Sequence, residues 1–331
     1  MALLHRAGNF RFGKHNLAAA TVVELFRRQR YHESMFRAAT FVVVLCFSQA
    51  SWAEVNTSGF ILAVPNSVRT VLVAETDSAT LYHFAVEQDE LTLVNEHRMS
   101  IGQNGVAKQR SGDRRTPLGV YFVIERLDTR NLHEKYGPVA FPLDYPNAWD
   151  RRNERTGHGI WIHGVTPDSG PRPVRDTDGC ISLQNEELMA LGGFIDPLHT
   201  PVIVARELSS RSKTETELLK AELFAALDDW SESYRKGDWH AYMSLYGKDF
   251  SHRGMSRDEW FAYRLQTQSD RVIAGFSIDD VYLISDPDNP GLFLSRFRQH
   301  VVEKARDHVT VKRLYWQREN GEFRIVAEDN G

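Results

Sequence analysis

Cysteine is nearly absent from this chain: its 331 residues include two, Cys46 and Cys180. No apolar run reaches the roughly 20 residues that a bilayer-spanning helix requires. No basic stripe dominates and the formal charge is −4, so the composition carries no footprint of nucleic-acid binding. No internal repeat is visible. What remains is a globular composition, 42% hydrophobic and 25% charged, in a chain long enough for two ordinary domains.

The N-terminus carries the first positive signal. Residues 35–55 read MFRAATFVVVLCFSQASWAEV. Arg37 supplies a short positive region, residues 38–47 are mostly apolar, and Ser51 and Ala53 sit at −3 and −1 of a cut before Glu54. This predicts export, with residues 1–53 as an N-terminal extension plus signal peptide and a periplasmic or cell-envelope location. The residues before Met35 are basic (Arg6, Arg11, Lys14, Arg27, Arg28, Arg30) and hold no fold pattern. Translation from Met35 is the plainest account; a long n-region, or a tail ahead of an uncleaved anchor, is the alternative. Cys46 follows Val-Val-Leu, not the small residue that precedes a lipidated cysteine. Cleavage after Ala53 would remove Cys46. Cys180 would then be a lone thiol in an oxidising compartment, a liability unless it is buried or used. Residues 1–53 hold seven Lys or Arg and two Asp or Glu, so the remainder is more acidic, with 33 basic and 42 acidic side chains.

Residues 54–65 read as a linker. Alternating and β-branched runs over 70–75, 79–86, 90–100, 120–127, 158–165 and 200–207 predict strands, interrupted by Gly-rich or charged loops at 102–119 and 166–179. Residues 184–195 predict a helix, with Glu186 and Glu187 in its first turn. The expectation is a mainly β domain over 66–207. A polar linker follows at 208–216. Apolar residues at helical spacing (Leu219, Leu223, Ala226, Leu227, Trp230, Tyr234) then predict a helix over 217–238 that Gly237 stops. Two shorter helices (239–246 and 256–268) and four strand-like runs complete an α+β domain over 217–331.

The segment TDGCISL, residues 177–183, poses the functional question. Cys180 follows Gly179 in a loop ahead of the predicted helix. Backbone N–H groups there could lower the thiol pKa and hold an oxyanion. His163, at the end of a buried strand, could be the base, and the Gly164 carbonyl could fix its tautomer. Two other readings stand beside this one. A single cysteine is more often buried packing than a nucleophile. A His–Cys pair could also ligate zinc with His158 and Asp178, although a structural zinc site takes four ligands.

Three motifs in order carry a resemblance: RRTPLGVYFV (114–123), IWIHG (160–164) and TDGCISL. Over residues 66–207 the chain resembles the YkuD-type L,D-transpeptidase family. There a His-Gly follows an apolar run, a [Ser/Thr]-x-Gly-Cys segment follows it, and a TPxG turn lies upstream. The resemblance implies a YkuD-like β-sandwich with a short helix after the cysteine. It makes Cys180 the nucleophile and His163 the general base and acid. Gly164 becomes the orienting carbonyl, and Gly179 with the Cys180 N–H the oxyanion-hole region. Many members carry Arg two positions after the cysteine, where this chain has Ser182. Arg175 or Arg172 could take over that role, or both could be solvated loop charges. His158 could line the cleft or be a surface histidine, and Asp178 could bind substrate or cap the helix region. The C-terminal part resembles the NTF2-like (SnoaL-like) fold, a cone whose aromatics Trp230, Trp239, Tyr242 and Tyr246 fit core and pocket lining.

The resemblance implies peptidoglycan stem peptides as the partner, with no cofactor, no metal, no nucleic acid and no membrane span after signal cleavage. A homodimer, if one forms, would use the C-terminal domain. The implied chemistry is a Cys180 acyl-enzyme that passes to an amine, giving a 3–3 cross-link or protein attachment, or to water, giving L,D-carboxypeptidase trimming. The reading from another class is a non-catalytic wall-binding protein.

Overall fold

The computed structural model describes residues 59–87, 90–268, 272–303 and 306–331. The predicted export signal and extension lie outside the described residues. Strands account for 42% of the described residues, and the mainly β first half and α+β second half expected from the sequence are both present.

The first half runs β1 (Ile61–Ala63), β2 (Thr70–Glu75), β3 (Thr80–Glu87), β4 (Glu90–Arg98), β5 (Ile101–Gly102), β6 (Gly119–Phe122) and β7 (Leu127–Asp128). It continues with a 3-10 turn (Glu134–Tyr136), β8 (Val139–Pro142), α1 (Ala148–Arg152) and β9 (Trp161–His163). β10 (Arg175–Thr177), β11 (Ile181–Ser182), α2 (Asn185–Leu191) and β12 (Pro201–Ala205) complete it. A five-stranded sheet, β4-β3-β2-β12-β6, faces a four-stranded sheet, β11-β9-β8-β7, and the short parallel pair β10-β5 joins them at one end.

β2 and β12 read TVLVAE and PVIVA because both faces of their sheet are buried. Side chains alternate across a strand. Leu72, Ala74, Val202 and Val204 point into the sandwich with Phe141, Ile162 and Ile181 of the other sheet and Leu188 and Leu191 of α2. Val71, Val73, Ile203 and Ala205 point the other way, into a second core.

That second core is shared with the C-terminal half. There α3 (Lys213–Lys236), α4 (Trp239–Ser244), β13 (Tyr246–His252), β14 (Met255–Ser256) and α5 (Arg257–Gln268) precede β15 (Ile273–Ser285), β16 (Leu292–Glu303), β17 (Arg306–Glu319) and β18 (Glu322–Asn330). The sheet order is β1-β15-β16-β17-β18-β13-β14. One face of this sheet gives Tyr282, Leu292, Leu294, Tyr315 and Val326 to the shared core. The alternate residues Phe293, Phe297, Leu314 and Trp316 pack on Leu223, Leu227, Trp230 and Tyr234 of α3.

Both segments read as linkers need correction. Residues 61–63, inside the 54–65 stretch, are the edge strand β1 of the C-terminal sheet, with Ile61 opposite Ile284. Residues 213–216, inside the 208–216 stretch, are the first turn of α3. Ser212 and Glu215 form a reciprocal capping box there, so a polar run begins a helix where no apolar period announces one. The other end of α3 is as expected: Gly237 adopts a left-handed cap at φ 68°.

Candidate active site

The IWIHG and TDGCISL motifs line one cleft of about 240 Å³, and RRTPLGVYFV lies behind it, with the Arg115 carbonyl against Gly179. Cys180 and His163 both line it, as do Arg172, His158 and Asp178. β11 and β9 pair in parallel with Ile181 beside Ile162 and Ser182 beside His163, which brings the cysteine segment alongside the histidine strand. Cys180 is half-buried at the cleft and does not pack in a core.

The Thr-Asp-Gly-Cys turn is held by Thr177. Its hydroxyl donates to the Cys180 carbonyl (2.7 Å) and accepts from the Gly179 N–H (3.1 Å). Gly179 has φ +125°, and a Cβ there would lie 2.7 Å from the Arg115 carbonyl oxygen, so glycine is required. That neighbour immediately precedes the TPxG turn, Thr116–Gly119. Thr116 is fully buried and its hydroxyl accepts from Gly102 N–H at 2.9 Å. The Gly179 N–H is committed to Thr177, so Gly179 serves the turn through its conformation. The short strand β11 separates Cys180 from α2, which begins at Asn185, one residue from the start expected at 184.

His163 is 4% exposed and its Nδ1 lies 2.6 Å from the Gly164 carbonyl oxygen. That contact places the proton on Nδ1 and leaves Nε2 as the acceptor. The Tyr136 ring meets the imidazole edge-on, with centroids 5.2 Å apart. Gly164 itself is wedged: a Cβ there would fall 2.2 Å from Asn185 Oδ1 and 3.0 Å from Gly137 Cα. Asn185 in turn accepts from Val165 N–H (2.8 Å) and donates to the Val165 carbonyl (3.0 Å).

Burial pushes the Cys180 thiol up to about 11, with the Trp161 N–H and more distant Lys135 and Lys108 opposing it and Asp178 adding to it. Burial also brings His163 down to about 4, against the Gly164 hydrogen bond and with help from Arg172 and Lys135. Both directions favour a neutral thiol and a neutral imidazole. The thiol lies 3.4 Å from the Gly159 carbonyl, to which it donates.

Of the other predicted residues, Arg172 reaches the cleft but is bound to Asp176, through its Nε to the carboxylate and its guanidinium to the carbonyl (3.3 Å). Arg175 is not brought to the cleft; it is exposed at the start of β10 and its guanidinium packs beside Gly105. Asp178 is exposed, 3.6 Å from Arg114 and 4.0 Å from Lys135. Ser182 is 2% exposed, and its hydroxyl has no partner among the described residues. Sequence reasoning missed Lys108, Lys135, Tyr136 and Asn185. Each comes from a segment outside the motifs, and no spacing in the sequence ties those segments to the histidine.

A half-buried thiol, a tautomer-fixed imidazole and a cleft walled by loops beside β9 and β10 are the parts that thiol-dependent acyl transfer uses. The comparisons agree with that class. Residues 69–204 match the YkuD family of L,D-transpeptidase catalytic domains, and residues 222–329 match the Cds6 C-terminal NTF2-like domain. The chain thus carries a YkuD-family L,D-transpeptidase catalytic domain followed by an NTF2-like domain. Among solved structures, the helical cell shape determining protein Pgp2 from Campylobacter jejuni is 23% identical with a TM-score of 0.70, the match covering 84% of this chain and 97% of that one. Bd1075 from Bdellovibrio bacteriovorus is also 23% identical, with a TM-score of 0.66 over 83% of this chain and 97% of its own. These likenesses establish a shared fold across both domains. Among curated proteins none matches the chain in sequence.

Proposed function

We propose that this protein is an exported cysteine L,D-transpeptidase acting on peptidoglycan stem peptides. The carrying observation is that Cys180 lines the same cleft as His163, whose Nδ1 is tied to the Gly164 carbonyl. His163 Nε2 takes the thiol proton as sulfur attacks the carbonyl of stem residue three. The C–N bond to the terminal D-residue breaks, and His163 returns the proton to the leaving amine. The Cys180 N–H stabilises the oxyanion. The thioester then passes to an amine of a second stem, or of a protein, with the thiol released and reprotonated.

A second reading is hydrolysis of the same thioester, which trims a tetrapeptide stem to a tripeptide. Its support is the pairing of the two domains, which the chain shares along most of its length with a cell shape determining protein. The test is mass spectrometry of muropeptides incubated with the purified protein, with and without an acceptor stem and against Cys180→Ala. A cross-linked dimer identifies the transpeptidase; tripeptide with free D-alanine and no dimer identifies the carboxypeptidase. If wild type and Cys180→Ala give the same products, the acyl-enzyme reading fails and wall binding without catalysis takes its place.

A further inference from the structure

The cleft wall holds three cations, and they differ in what they already bind. Lys108 is 4% exposed and its Nζ is spent on Asp113 (2.7 Å) and the Arg110 carbonyl (3.2 Å). Arg172 is spent on Asp176. Lys135 faces Asp178 at 4.0 Å, beyond hydrogen-bond length, and that carboxylate is exposed and also faces Arg114. Its ammonium otherwise stands 5.1 Å from the centroid of its neighbour's ring, Tyr136. The Lys135 ammonium has no partner within hydrogen-bond length among the described residues, whereas Lys108 has two donors engaged inside the protein and Arg172 is oriented by its two bonds to Asp176.

Its position is fixed from below. The 3-10 turn that carries Lys135 gives the Tyr136 carbonyl to Gly164 N–H (3.0 Å) and the Tyr136 ring to His163. Thr129 holds the turn's end at the Gly137 carbonyl. A flexible cationic arm thus rises from a rigid base that also positions the histidine. The field of Lys135 reaches both Cys180 and His163, opposing the rise of one pKa and adding to the fall of the other.

A stem peptide brings carboxylates into this cleft, and an ion taken out of water needs a charged partner. We propose that Lys135 binds a carboxylate of the donor stem peptide and so sets the preference of the cleft for the free acid over the amide. This rests on the acyl-transfer reading above. Two carboxylates share the chemistry: the C-terminal one of the departing D-residue and the side-chain one of a diamino acid at stem position three.

The experiment compares kcat/KM for wild type, Lys135→Met and Lys135→Arg on three stems: the free acid, its C-terminal amide, and the stem amidated at the position-three side chain. Wild type should prefer the free acid to one of the amides by about tenfold or more. Lys135→Met should lose roughly 10- to 100-fold on the free acid and little on that amide, as loss of one charge-assisted hydrogen bond predicts. Lys135→Arg should keep most of the preference. The amide that abolishes the sensitivity identifies the bound carboxylate. An equal loss on all three stems would mean a structural role and overturn the assignment. If Lys135→Met does not fold, the wild-type ratio decides: a value near one for both amides overturns the assignment. Wild type inactive on every stem would defeat the acyl-transfer reading and this one with it, whereas active wild type with unaltered ratios would defeat this one alone.

Discussion

At Cys180 and His163 burial acts on two proton-binding groups with opposite sign and the same result. The charged form of each is disfavoured, so the thiol rises to about 11 and the imidazole falls to about 4. The resting pair holds its proton on sulfur. Thiolate then accumulates only as pH rises toward 11. Alkylation of Cys180 by iodoacetamide, followed by peptide mass spectrometry, should at pH 7.5 run on the order of 100-fold slower than for a free cysteine, and climb with pH past the range where a free thiol levels off. A plateau near pH 6–7 would mean a preformed thiolate–imidazolium pair. Cys180, His163 and Gly164 were legible in the sequence because they sit in short motifs whose order is their geometry. Lys135 and Asn185 were not, because no spacing links them to the cysteine; only the folded turn brings them there.

At the scale of elements, the His-Gly motif is explained by packing. The turn ending at Gly137, the strand end at Gly164 and the first residue of α2, Asn185, meet where a Cβ on either glycine would overlap Asn185 Oδ1, at 2.3 or 2.2 Å. Gly164→Ala must therefore push apart the elements that hold the Gly164 carbonyl against His163. Activity should fall by roughly 100-fold or more, as displacement of a catalytic group by about 1 Å implies, and thermal denaturation should show a lowered Tm. Unchanged kcat/KM would mean that the carbonyl contact does not orient the base. The longer strands, β2 to β4, β6, β9, β12 and β15 to β18, were readable from their alternating or β-branched runs, whereas β8, β10, β11, β13 and β14 were not. The first turn of α3 was not, because its capping residues are polar and solvent-facing, and β1 was not, because three residues are too few to show a period.

At the scale of the whole molecule, the two halves are joined as a single body. The central sheet of the catalytic half is buried on both faces, and its outer face shares a core with β15 to β18. β2 and β12 are apolar on both faces, and nothing within those segments says what covers the second one. Charges lock the rim. Arg313 of β17 pairs with Asp329 of β18 (2.6 Å) and with Asp144 of the catalytic half, and Arg151 of α1 also binds Asp329. Tyr282 and Arg296 donate to the carbonyls of His199 (3.0 Å) and Leu198 (2.6 Å). Arg313→Ala would remove the counter-charge of Asp144 and leave Asp329 with Arg151 alone. It should cost about 3–5 kcal/mol in chemical denaturation, within one transition that both halves share. Two separate transitions in wild type would contradict the shared core.

β1 gives this joint an unusual thread. The described residues enter the C-terminal sheet at β1, leave to build the whole catalytic half, and return through α3 to finish that sheet. The catalytic half is therefore an insertion in the other, and the two are stitched together by two crossings of the polypeptide. A single protease nick between Leu208 and Arg211 would leave them clasped. During synthesis β1 must also wait for its partner Ile284 until most of the chain has emerged.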